Sequence, residues 1–359
     1  MLANYYQYIY MILVVLFTAI AMGHYNHNNL LNLNRKTANT ALSFINYIIF
    51  TTFIGLRPLH YVFVDMMNAY AQYSALWGGT FYFDWDVDNL IFDNYFSYMA
   101  CSCVPIRIFF LNSAIIYFGS IYIAVKKLFP RDILLAFLVY LAAFSTFSYG
   151  TNGIKAGMAA SIFLVALAYH DKKLISVLIA LLTYGMHHSM KLVIVAYFIV
   201  LFLKNPKYYF MVWGFSFIMA ALHITWFQHF FAGFTDEQGA GYLLTDRNSG
   251  FRIDFIIYSA VPVVVGYYMI YKHKLQSKMY NVILSLYLLT NSVWMLCMYS
   301  NFTNRISYLS WFLYPIVLLY PFVNIYWSNR QYTYLKYVVW GHLSFTLFMT
   351  VIFYGLLGL

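Results

Sequence analysis

Charge is what this chain has least of. Only 9% of its 359 residues are Asp, Glu, Lys or Arg, while 63% are hydrophobic. A soluble domain carries about 25% charged residues. No polar stretch is long enough to fold alone in water, so residues 1–359 read as a single integral membrane domain. The three cysteines, Cys101, Cys103 and Cys297, provide neither a disulfide framework nor a metal-ligand spacing. HExxH, GxSxG and a phosphate-cradling P-loop are all missing, which argues against a zinc protease, a serine hydrolase and a nucleoside triphosphatase. The apolar run Asn4–Met22 lacks a basic n-region and a good cleavage site, so it is expected to stay as a membrane helix. No internal repeat is evident, which weakens the case for an inverted-repeat transporter.

What is present is a series of apolar runs fenced by basic residues. The runs predict an all-α polytopic membrane protein of about twelve crossings: 4–22, 40–56, 104–125, 132–149, 154–169, 174–186, 190–203, 208–227, 255–271, 279–299, 305–326 and 336–356. Fourteen of the 21 lysines and arginines fall in alternate loops, with only Asp132 and Asp171 as acids among them. The positive-inside rule then places those loops in the cytoplasm and both termini outside. The net charge of +10 is therefore read as topology, not as an affinity for nucleic acid. Two outside segments are long, 57–103 and 228–254; within the first, Ile91–Met99 is expected as an interfacial helix.

The central segment Leu174–Leu203 is too long for one crossing, which takes roughly 20 residues, and too short for two. Lysines 172, 173, 204 and 207 at its two ends favour an in-and-out hairpin with arms of about 20 Å. Its tip, Tyr184-Gly185-Met186-His187-His188-Ser189-Met190-Lys191, then stops inside the membrane. Polar groups at that depth survive only when buried in protein or lining a wet cavity. Adjacent histidines on one helix would face opposite ways, so at most one of His187 and His188 faces any given cavity.

Seven basic residues lie where the topology rule does not put them: Arg57, Arg107, Lys155, Lys191, Arg247, Arg252 and Arg305. Singly, each can snorkel to headgroups or pair with an outside acid. As a set near helix ends they suit a pyrophosphate, because guanidinium forks bind phosphate oxygens bidentately. Asp65, flanked by Phe63, Val64, Met66 and Met67, is a candidate general base, as is His188. The alternation Asp84-Trp85-Asp86-Val87-Asp88 suits either Mg²⁺ or an exposed loop; no metal is assigned. Aromatics make up 22% of the chain; most suit interfacial belts, and external ones such as Trp85 can stack on sugar.

Several runs in chain order resemble the EpsG/Wzy-type polysaccharide polymerase family. They are Gly55-Leu56-Arg57 with Asp65 and Tyr70; Phe83-Asp84-Trp85 through Asn89-Leu90-Ile91-Phe92-Asp93; Ser148-Tyr149-Gly150-Thr151-Asn152-Gly153-Ile154-Lys155; His188-Ser189; Ser249-Gly250-Phe251-Arg252-Ile253-Asp254-Phe255; and Asn304-Arg305-Ile306-Ser307-Tyr308. Two positions depart from the family pattern: Lys155-Ala156 where Arg-Gln is common, and Val64 where a glycine usually precedes the aspartate.

The resemblance implies a glycosyltransferase that polymerises undecaprenyl-pyrophosphate-linked repeat units for exopolysaccharide, capsule or O-antigen. It implies work on the outer face of the bacterial inner membrane, in the lipid bilayer, beside a flippase and a chain-length regulator of the same pathway. A GT-C-like membrane glycosyltransferase architecture is compatible with it. No cofactor is implied, because cleavage of the phosphoanomeric bond drives transfer. On this reading Arg57, Lys155, Arg252 and Arg305 bind pyrophosphate, Asp65 or His188 is the base, and Trp85, Tyr70 and Asp93 contact glycan. Two alternatives stay open: a transferase using a polyprenyl-phosphate sugar, and a flippase or transporter of lipid-linked sugars.

Overall fold

The computed structural model describes residues 2–23, 36–232, 237–244 and 250–356. Among them the regular structure is helical, with no strand. In chain order the helices are α1 (Tyr6–Gly23), α2 (Lys36–Gly55), α3 (Val64–Leu76), α4 (Leu90–Cys101), α5 (Ile106–Leu128), α6 (Ile133–Leu141), α7 (Phe144–Thr151), α8 (Ile154–Ala168) and α9 (Lys173–Met186). They continue as α10 (Met190–Phe202), α11 (Pro206–Ala221), α12 (Trp226–Ala232), α13 (Glu237–Leu244), α14 (Ile253–Tyr267), α15 (Lys278–Leu296), α16 (Thr303–Trp311), α17 (Tyr314–Asn324) and α18 (Gln331–Leu347).

Six helical stretches are long and apolar enough to cross a membrane: Ala3–Gly23, Ile106–Leu128, Ile253–Lys272, Lys278–Leu296, Thr303–Asn324 and Gln331–Gly355. Counting the bent pairs α6–α7 (74°) and α11–α12 (115°) as one span each raises this to eight. The expected twelve full crossings are thus not established. Three of the other four expected crossings, α8, α9 and α10, are apolar helices of 15, 14 and 13 residues, and at 1.5 Å per residue these fall short of a core about 30 Å thick. The segment 57–103, expected outside, contains α3 and α4, and the α4 residues Phe92, Asn94, Phe96, Met99 and Ala100 are buried. Arg247 lies outside the described residues.

The chain forms two compact units, one of Met1–His188 with Phe322–Leu359, the other of Ser189–Pro321. In the first, α5 packs against α2 and α8, and α8 against α9. A Cβ on Gly55 would lie 2.9 Å from the Leu111 backbone, so glycine there lets α2 approach α5 closely. α6 is buried along its whole length, as expected of a helix that is apolar all round. The bend after α6 frees backbone carbonyls. Thr146 Oγ1 donates to Tyr140 O at 2.7 Å and Tyr10 O–H to Leu141 O at 2.8 Å. A broken helix in an apolar setting needs such replacement donors.

In the second unit α15 packs against α10, α11 and α16. The contact is keyed by Asn291, which is 0% exposed. Its Nδ2 donates to Ser259 Oγ and Ser310 Oγ, each at 3.0 Å, and its Oδ1 accepts from Trp213 Nε1 at 2.9 Å. Trp311 Nε1 adds a 2.8 Å bond to Ser259 Oγ. One amide therefore joins α11, α14, α15 and α16 by hydrogen bonds, which supply attraction between helices where the surroundings are as apolar as the side chains.

Candidate functional site

In the first unit the site is built around the end of α9. The helix stops at Met186, and His187 is extended (φ −157°, ψ 122°). The break falls where the hairpin tip was expected. The two histidines do not diverge as expected, because neither is inside a helix: their rings lie side by side, centroids 4.7 Å apart. The tip rests on the start of α4. A Cβ on Gly185 would come within 2.7 Å of Ile91 Cγ1, so glycine allows the two helices to touch here.

The same contact brings Asn89 under the tip. Asn89 is 4% exposed, and its Oδ1 accepts the His188 backbone N–H at 3.1 Å. Its Nδ2 donates to Asp93 Oδ2 at 3.0 Å, and its own N–H reaches the same oxygen at 3.2 Å. The other Asp93 oxygen meets Lys155 Nζ at 3.2 Å. Lys155 opens α8 and also lies 5.5 Å from the Phe92 ring centroid. His188, Asp93 and Lys155, all named from sequence, are thus gathered by a residue that sequence reasoning did not single out. Asn89 lies in one of the runs that resemble the family, but its role becomes visible only with its partners.

Arg57 is placed differently. It is 2% exposed, with Nη1 donating to Ile54 O at 2.8 Å and Nη2 to Thr151 O at 2.9 Å. Its guanidinium lies 5.0 Å from the Phe110 centroid and 5.7 Å from that of Phe63. Burial pushes the group down to about 10, still charged at neutral pH. The cation therefore sits at the C-terminal ends of α2 and α7, where helix dipoles favour positive charge. Among the described residues no carboxylate forms an ion pair with it.

Asp65 is half-buried in the first turn of α3, where an acid suits the helix dipole. Tyr70 lies exposed on the same helix. Trp85 is 76% exposed and its ring packs 4.6 Å from Phe83. The Asp84–Asp88 loop is tied down by Asn94, which exchanges two 2.8 Å bonds with the Asp84 backbone. The Asp84 carboxylate accepts from Asp86 N–H at 2.9 Å, a local turn. Among the described residues no three His, Cys, Asp or Glu side chains form a group able to hold a metal ion, and the three cysteines are free.

The second unit holds the other two candidates. Arg252 caps the start of α14 and grips Asp254 with Nε at 3.0 Å and Nη2 at 2.6 Å. Its guanidinium is 3.7 Å from the Phe255 centroid, and its backbone N–H points at Met298 Sδ, 3.4 Å away. Arg305 is exposed in the first turn of α16, 5.0 Å from the Phe302 centroid.

These features describe an all-helical multi-pass membrane protein with cations at helix starts and a polar break between two short helices. The EpsG family model matches residues 40–357, and the chain belongs to this family, that of the Wzy-type polysaccharide polymerases. No curated protein and no solved structure matches it. Membership points to a glycosyltransferase-like polymerase of polysaccharide that acts on lipid-linked glycans in a membrane.

Proposed function

We propose that this protein polymerises undecaprenyl-pyrophosphate-linked repeat units on the outer face of the bacterial inner membrane. The growing glycan leaves its pyrophosphate carrier and joins a sugar hydroxyl of the incoming unit. The bond from the anomeric carbon to the pyrophosphate oxygen breaks, a glycosidic bond forms, and the hydroxyl proton passes to a base.

One observation carries this reading beyond family membership. Arg107, Lys155, Lys191 and Arg305 lie in the first turn of α5, α8, α10 and α16, and Arg252 immediately precedes α14. A cation there opposes the helix dipole, at a cost of roughly 0.3–1 kcal/mol each. The helix dipoles therefore do not account for the pattern. An anion meeting both the helix start and the cation gains from each. Each of these helices also begins one of the inward crossings expected from the charge pattern.

Lys155, Arg252 and Arg305 are assigned to the departing pyrophosphate, whose developing charge is met by preorganised donors. Asp254 and Phe255 hold the Arg252 fork in one orientation. His188 or Asp65 takes the proton, and exposed Trp85 and Tyr70 meet the glycan. Arg57 is given a supporting role, since both of its terminal nitrogens are engaged by backbone carbonyls. The test is reconstitution: purified protein in liposomes, supplied only with pyrophosphate-linked repeat units, is expected to yield a ladder of longer glycans. Absence of chain extension by folded protein would sink the reading.

A further inference from the structure

We infer that Asn89 is a positioning residue for the transfer reaction, holding His188 and Lys155 in place at once; the inference rests on the polymerase reading above.

Asn89 occupies the N-cap of α4, a position where an asparagine normally accepts a backbone N–H of its own first turn. That cap bond is missing here (φ −117°, ψ 73°), although such a bond normally stabilises a helix start. The acceptor is turned instead to the His188 N–H, 99 residues away in sequence. Asp93 reaches back to the Asn89 N–H, so one helix-start donor is satisfied without Asn89's own side chain.

The amide orientation is fixed by its neighbours. The backbone N–H of His188 is only a donor, and the Asp93 carboxylate, which also faces Lys155, is an acceptor. Oδ1 must therefore face His188 and Nδ2 must face Asp93. Among un-ionisable side chains of this size, asparagine alone offers an acceptor on one side and a donor on the other. Leucine offers neither, and an ionised aspartate would set two carboxylates against each other. The single amide links the backbone of one candidate base to the counter-ion of a candidate phosphate-binding lysine.

Asn89→Ala is expected to lower kcat about 100-fold, the scale of an ångström-sized misplacement, with KM changed far less. Hydrogen exchange at the His188 amide should speed up in the same variant. Asn89→Asp is the isosteric control and carries the test if the alanine variant fails to insert. Once protonated, the carboxyl group introduced by Asn89→Asp can donate to Asp93 and still accept from His188. The activity of this variant relative to wild type should therefore rise as pH falls from about 8 to about 5, which loss of packing alone does not predict. The inference is overturned if Asn89→Ala keeps wild-type kcat, if its His188 amide exchanges at the wild-type rate, or if the Asn89→Asp ratio is flat with pH. Should the wild-type protein extend no glycan, the polymerase reading fails, whereas the exchange experiment still decides whether Asn89 holds the His188 backbone.

Discussion

The Lys155 ammonium lies 3.2 Å from Asp93 Oδ1, across 62 residues of sequence. The pair is partly exposed, with side chains at 43% and 27% of full accessibility, so its worth to stability is below about 1 kcal/mol. Lys155→Met and Asp93→Asn should therefore unfold close to wild type. Their activities should separate: loss of a charge-assisted bond to phosphate costs about 10–100-fold, so Lys155→Met should fall by that factor. Asp93→Asn should fall less. Equal losses would remove Lys155 from phosphate binding and make the pair simply a tether.

Arg252 and Arg305 differ in what surrounds the guanidinium, and so should their lysine variants. The Arg252 fork on Asp254 cannot be reproduced by an ammonium. Arg252→Lys and Arg252→Ala should both lose about 100-fold in kcat/KM. Arg305 is exposed and acts as a charge, so Arg305→Lys should retain much of the activity that Arg305→Ala loses. Normal polymer from either alanine variant would take that residue out of the mechanism.

Arg57→Ala leaves two carbonyls without their donors and opens a space beside Phe110. A loss on the order of 3 kcal/mol is expected, read as a lower thermal midpoint in detergent. Stable, well-inserted Arg57→Ala protein that makes no polymer would instead return this arginine to the pyrophosphate set.

Asn291→Leu deletes the amide that joins four helices in the second unit. The expected loss is about 1–2 kcal/mol, with KM for the lipid-linked donor unchanged. An unchanged unfolding midpoint would show that packing of α15 alone carries that contact.

Trp85→Ala removes an exposed ring and should alter stability by less than about 0.5 kcal/mol. If the ring stacks on sugar, KM should rise by about 2–12-fold, the factor corresponding to roughly 0.5–1.5 kcal/mol. An unaltered KM would assign Trp85 to the lipid interface.

Much of the helix layout is legible in sequence. The break at His187–Ser189 can be read there because short apolar runs fenced by lysines cannot be drawn as two full crossings. The count of full spans cannot, since hydropathy does not report where a run bends, as at Ala142 between α6 and α7. The two histidines are misread from sequence because a helical direction is assumed at residues that lie outside any helix. Asp93 reads as a sugar contact, and its bonds to Asn89 and Lys155 are not legible there. Asn89 escapes notice because an asparagine before an apolar run looks like an ordinary cap.

Composition and charge order by themselves determined a helical membrane protein, its expected sidedness and the set of cations out of place. Those properties are sums over local stretches and need no partner to be read. Tertiary structure decided what these charges meet: Lys155 pairs with Asp93, Arg57 bonds carbonyls at two helix ends, and Arg252 pairs with Asp254. A hydrogen bond depends on ångström-scale placement, and for Lys155 and Arg57 the partners are 62 and 94 residues apart in the chain. That placement is set by how helices pack, here through Gly185 on Ile91, and no local pattern encodes it.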